Sequence, residues 1–174
     1  MATVGIVAVV GSLAVGYVLA AVEHSRGYAA ARFLAGRFGL ARAQAVARGT
    51  AVGFRFDQEA GGFTFTLFQD GNRNGIRAAD IQGGIDRRIE PTLSLFEQFP
   101  GVDVGVAPGV QIPNPIQLGG TNILTFTPVG TATAGTVYVR DREGSQWAVR
   151  VLGATGRTRV LRYDRSTGGW VAPY

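Results

Sequence analysis

Ala2–Val22 reads ATVGIVAVVGSLAVGYVLAAV and carries no charge. At about 1.5 Å per residue such a run spans roughly 30 Å as a helix, the thickness of a bilayer's hydrocarbon core. A secretory signal peptide would put a basic segment in front, keep the apolar core shorter and end at a cleavage site before a new domain. Here no basic residue precedes the run. The chain then continues without proline through Ser25-Arg26-Gly27-Tyr28 into AAARFLAGRFGLARAQAVARGT. These features predict one long helix, apolar in its first half (residues 1–25) and amphipathic in its second (26–50), feeding a head formed by residues 51–174.

Working outward, Leu34, Phe38, Ala41 and Ala45 fall on one stripe at i, i+4, i+7 and i+11, the side expected to pack on the head. Arg26, Arg37 and Arg48 line up beside it and read as a solvated helix edge. Gly36 and Gly39 weaken the helix by about 1 kcal/mol each relative to alanine, so a bend or local melting is expected there. In the apolar half, Ser12 and Gly16 form a small-xxx-small pair that lets helices approach closely in lipid. Gly49-Thr50 ends the helix.

Period-two alternation takes over beyond that point. Val52–Asp57 and Phe63–Phe68 flank a Gly-containing turn and read as a hairpin. Further strands are expected at Ile85–Ile89, within GVDVGVAPGV (101–110), and at Ile123–Phe126, Thr136–Arg140, Gln146–Val151 and Arg157–Tyr163. Glycine-containing turns join the last four, which predicts an antiparallel meander with one face on the core. The fold class is therefore α+β.

Composition narrows the function. There is no cysteine, so packing alone holds the head. All 17 basic residues are arginine, and the net charge is +5. His24, the single histidine, stands beside Glu23 at the edge of the apolar run, where it reads as an interfacial anchor. No nucleophile or second histidine completes a catalytic constellation, and no glycine-rich phosphate loop opens a helix. Enzymatic activity is not expected. Asp70-Gly71-Asn72-Arg73-Asn74-Gly75 matches the first half of a calcium loop, with Asp70, Asn72 and Asn74 as the alternate oxygen donors. The position for the bidentate acid is Ile81, however, and Asn and Gly also suit a tight turn after a strand.

Three ordered blocks carry a family resemblance. Leu40-Ala41-Arg42-Ala43-Gln44-Ala45-Val46-Ala47-Arg48-Gly49-Thr50-Ala51-Val52 resembles the end of the long helix in GspH/FimT-type pseudopilins. Phe68–Gly75, and Phe126-Thr127-Pro128-Val129-Gly130 followed by Gly153-Ala154-Thr155-Gly156-Arg157-Thr158-Arg159, agree with it in the same order. These proteins are minor subunits of type II secretion and type IV pilus systems. The resemblance implies a type IV pilin-like fold and a structural subunit without cofactor, at or near a filament tip, that helps to initiate assembly. It also implies an inner-membrane anchor that later packs in the filament core, a periplasmic head, and other pilin subunits as partners. In FimT-like proteins of DNA-uptake pili, a Gly-Arg-x-Arg element here is associated with DNA, which makes Arg157 and Arg159 candidate phosphate contacts. From residue 140 onward there are seven arginines against three acids. In secretion-system members the same pattern is structural. A membrane-anchored domain outside any filament is the third reading.

One departure stands out. Such proteins begin with a basic leader and Gly-Phe-Thr-Leu-x-Glu, which a prepilin peptidase cleaves and methylates. Met1-Ala2-Thr3-Val4-Gly5-Ile6 lacks both the junction and the glutamate. The fit is restored if Met1 is a valine codon read as an initiator, with the leader and glutamate upstream. As given, Arg26 and Arg32 follow the apolar run and nothing basic precedes it. By the positive-inside rule that charge pattern favours a cytoplasmic head, opposite to what a pilin needs.

Overall fold

The computed structural model describes residues 26–173. Helix α1 runs over residues 26–48 without a break, and Gly49, at φ 63°, ends it. Leu34, Phe38, Ala41 and Ala45 are fully buried, as their spacing predicts, together with Ala30 and Ala31. The helix continues through Gly36 and Gly39, so the local melting expected as one alternative there is absent. Burying Leu34 and Phe38 contributes about 1.5–3 kcal/mol each, which exceeds the propensity cost of the two glycines.

The predicted hairpin forms as β1 (Val52–Glu59) and β2 (Gly62–Gln69), with Phe54 opposite Leu67 and Phe56 opposite Phe65. Alternation sends Val52, Phe54 and Phe56 inward, where all three are buried. The chain then makes a loop and the short helix α2 (Ala78–Gln82), and returns to the free edge of β2 as β3 (Arg87–Arg88) and β4 (Leu93–Ser94). Only two residues of the expected strand Ile85–Ile89 pair. A single turn, α3 (Leu95–Gln98), leads to β5 (Asp103–Val104). The Gly- and Pro-rich segment read as a strand thus contributes two residues, since Pro108 and the prolines beyond it donate no ladder hydrogen bond. β6 (Ile116–Gln117) and β7 (Ile123–Phe126) follow.

β7 departs from the expected meander. It pairs with β1, Val52 opposite Phe126, and closes the first sheet in the order β3-β2-β1-β7. The reason is packing. Leu124 and Phe126 are fully buried, and Phe126 joins Phe54 and Phe56 around Phe38, with ring centroids at 6.4, 5.5 and 6.3 Å. A turn at Thr127–Thr131 then redirects the chain to the second sheet. There β8 (Gly135–Arg140), β9 (Gln146–Val151), β10 (Thr158–Asp164) and β11 (Gly169–Val171) form the meander that alternation predicted, in the order β11-β10-β9-β8-β5. β11 and β6 had no periodic signal of their own, being three and two residues long.

α1 lies over both sheets. Its first described turns pack on the second sheet, with Tyr28 and Trp147 at 5.3 Å between ring centroids, and its middle packs on the phenylalanine cluster of the first. Among the described residues no helix is long and apolar enough to cross a membrane. The membrane half expected at Ala2–Val22, with Ser12, Gly16 and His24, lies outside the described residues.

Candidate assembly interface

The inner face of α1 is fastened at both edges. Toward the first sheet, Arg37 pairs with Glu90, Gln44 Nε2 donates to Glu90 Oε1 at 3.5 Å, and Arg48 Nη1 donates to Gln69 Oε1 at 2.7 Å. Toward the second, Arg42 Nε donates to the Gly130 carbonyl at 3.1 Å. Arg37 is therefore a half-buried clamp rather than part of a solvated edge, while Arg48 stays exposed as expected and still bonds Gln69. Their acceptors, Glu90 in the loop after β3 and Gln69 at the end of β2, lie distant in sequence, which helical spacing alone does not reveal. At the start of the helix, Gly27 has no room for a side chain. A Cβ there would lie 2.6 Å from Trp147 Nε1.

The three sequence blocks meet at these clamps. Gly156 sits at φ 60°, and a Cβ on it would fall 2.6 Å from the Gly130 oxygen and 2.9 Å from Arg42 Cδ. Thr50 Oγ1 donates to the Asp70 carbonyl at 3.1 Å, joining the helix end to the second block. What resembles a family motif in sequence is thus the socket that holds α1 on the head.

The outer face is different in kind. Ala29, Arg32, Gly36, Gly39, Leu40, Ala43 and Val46 are exposed, Leu40 at 56% and Val46 at 51%. A Cβ at Gly36 or Gly39 would meet nothing within 4 Å. This is a mostly small and aliphatic strip, open along its length, on a helix whose other side is pinned. Helices can approach closely over such a floor.

The Asp70 loop closes on its own amides. Asp70 Oδ1 accepts from the N–H of Asn72 (3.0 Å) and Arg73 (2.8 Å), and Oδ2 from Gly75 (2.7 Å). Asp86 accepts from Gly71 and Arg77 at 3.2 and 3.0 Å. Both carboxylates are almost fully buried. Asn72 Oδ1 takes the Asn74 N–H at 3.2 Å, and Ile81 lies within α2. Asp70 and Asn72 thus act as hydrogen-bond acceptors for the turn, and Asn74 enters it as a backbone donor. Among the described residues no group of three His, Cys, Asp or Glu is placed to hold a metal.

Residues 30–156 match the family model of GspH, type II transport protein. The chain belongs to the GspH family. Among solved structures it is similar to the minor pseudopilin EpsH from the type 2 secretion system of Vibrio cholerae. That likeness has a TM-score of 0.51 at 17% identity, and covers 79% of this chain and 97% of that one. Its pilin-like fold, a helix on antiparallel sheets, is shared. No protein of curated function matches it in sequence.

The family block at Gly156–Arg159 divides into two roles. Gly156 belongs to the α1 socket. Arg157 and Arg159 are both exposed, on the turn and first residues of β10. The register adds a residue that sequence proximity did not single out: Arg150 on β9 stands directly opposite Arg159. Acids of the second sheet lie at its other end and are engaged there. Asp103 Oδ1 accepts from Val104 at 2.7 Å; burial pushes its carboxyl above the usual range, partly offset by that amide, by Phe63 and by Arg140. Asp141 accepts from Ser145 at 2.7 Å. The hydroxyl and N–H of Ser166 hold the Asp164 carboxyl below the usual range.

Proposed function

We propose that this chain is a structural subunit, a minor pseudopilin of a type II secretion system, and not an enzyme. The observation that carries the reading is the asymmetry of α1: one face locked to the head, the other an exposed strip of Gly36, Gly39, Leu40, Ala43 and Val46 with no cover among the described residues. In this reading the strip packs against the helices of neighbouring pseudopilins. Ala2–Val22 holds the chain in the inner membrane beforehand, with the head in the periplasm, and enters the filament core afterwards, where Ser12 and Gly16 permit close approach. The position is at or near the tip, where the subunit helps to initiate assembly, and a prepilin peptidase acts on any leader preceding the apolar stretch. The Asp70 loop serves as a structural turn, so a chelator should leave thermal unfolding unchanged.

The chain has no cysteine, which makes the test direct. Leu40→Cys or Val46→Cys, with a cysteine on the helix of the major pseudopilin, should cross-link in secreting cells and lose the product when the assembly ATPase is disabled. Absence of any product at both positions, with the protein present at normal level, would overturn the reading.

A further inference from the structure

The far end of the second sheet carries charge without a countercharge. Arg150 and Arg159 are cross-strand partners, so their side chains leave the same face of the sheet, and both are exposed. Arg157, two residues before Arg159, continues that alternation into the turn and is also exposed. Among the described residues none of the three guanidinium groups meets a carboxylate. Sequence explains why: there is no Asp or Glu between Val104 and Arg140, none between Gly144 and Tyr163, and none in α1. The loops beside this end therefore contribute no acid at all. Like charges directly opposite on a sheet are destabilising, and no carboxylate among the described residues offsets this pair.

The neighbours of these arginines are aliphatic. Leu152, whose N–H bonds the Arg157 carbonyl at 2.9 Å, is 41% exposed. Val129, on the adjoining turn, is 84% exposed. That turn is held rigid by Thr127 and Thr131, whose hydroxyls lie 2.7 Å apart. The aromatic rings Tyr138, Tyr163 and Trp170 share this face of the sheet beyond Ala148 and Leu161, and they pack on one another, with Tyr138–Trp170 and Tyr163–Trp170 centroids 5.5 and 5.3 Å apart.

We propose that Arg150, Arg157 and Arg159, with Leu152 between them, form a docking face for an acidic segment of another protein, one that presents carboxylates around an aliphatic side chain. Guanidinium forks suit carboxylates in bidentate pairs, and Leu152 supplies the apolar contact that a surface serving phosphate alone does not need. The face lies on the head and stands whether or not α1 enters a filament.

The test uses the full chain in mild detergent and a short fluorescent peptide of repeated Glu-Glu-Leu, with Gln-Gln-Leu and a DNA duplex as comparators. The Glu peptide should bind at low salt and weaken as salt rises. Arg150→Gln/Arg157→Gln/Arg159→Gln should lose about tenfold or more in affinity, about 1.4 kcal/mol. Arg140→Gln/Arg165→Gln, at the other end of the sheet, should change nothing, and Gln-Gln-Leu should not bind. Arg159→Gln alone should raise the unfolding temperature, since it relieves repulsion with Arg150. A lower temperature would mean that the arginines serve the fold, and would overturn the proposal. So would a Glu peptide that fails to bind or ignores the triple substitution. Tighter, arginine-dependent binding of the duplex would assign the face to nucleic acid instead.

Discussion

Leu34 and Leu40 stand six residues apart on one helix; Leu34 is fully buried and Leu40 is 56% exposed. The inner face of α1 pairs each large side chain with a partner from the head: Phe38 with three phenylalanines, Arg37 with Glu90, Arg42 with Gly130. The outer face offers glycine, alanine, Arg32 and two aliphatic residues to no partner among those described. Hydropathy alone does not separate these faces, because both are apolar by composition. What separates them is the partner: Leu34 and Phe38 fill the head's core among the buried alanines Ala30, Ala31, Ala41 and Ala45, while Leu40 and Val46 stand exposed among glycines and alanines. The largest contrast follows directly. Phe38→Ala should destabilise the chain in denaturant titrations by about 3–5 kcal/mol, the range for emptying an aromatic from a core. Leu40→Ala should change stability by less than about 0.5 kcal/mol and instead reduce cross-linking to neighbouring subunits. Equal stability losses at both positions would erase the distinction between the faces.

The next contrast concerns the socket. Gly156→Ala forces a side chain onto φ 60° and against the Gly130 oxygen and Arg42, and should cost about 1–3 kcal/mol. Gly61→Ala, at a turn where a Cβ would meet open space, should cost far less. If the two variants unfold alike, Gly156 is only a turn glycine and the three sequence blocks do not act together. A smaller loss, about 1–2 kcal/mol, is expected for Arg42→Met, which keeps the aliphatic stem and leaves the Gly130 carbonyl without its charged donor. Arg32→Met on the outer face should be neutral within about 0.5 kcal/mol.

The inner stripe was legible because Leu34, Phe38, Ala41 and Ala45 repeat at helical spacing, and the β1–β2 hairpin because Phe54, Phe56 and Phe65 alternate. Both signals are local. The partners of Arg37, Arg42 and Arg48 were not legible, since Glu90, Gly130 and Gln69 come to the helix through a topology that no local period encodes. The crossing of β7 to the first sheet was hidden for the same reason. A four-residue strand reads the same beside β8 as beside β1, and only Phe126 meeting Phe38 decides between them. Arg150 was in view as a nearby basic residue, yet its place opposite Arg159 required the register of β9 and β10.

The smallest expected effect bears most directly on the outer face. Gly36 and Gly39 each lower the stability of a solvated helix, and nothing in the head requires them: each Cβ position is open, and neither φ is positive. Gly36→Ala and Gly39→Ala should therefore each stabilise the chain by about 0.5–1 kcal/mol, a gain readable as a rise in the unfolding midpoint. A glycine retained only for the head would have no further consequence. If the strip is a floor for another helix, added methyl groups hold that helix away, and the double variant should be more stable alone and less well incorporated into the filament. Greater stability with unchanged incorporation would show that this part of α1 meets no close neighbour. It would leave Leu40 and Val46 as the outer face's only points of contact. Lower stability would mean that α1 needs the two glycines for its own path, against the unbroken geometry of residues 26–48.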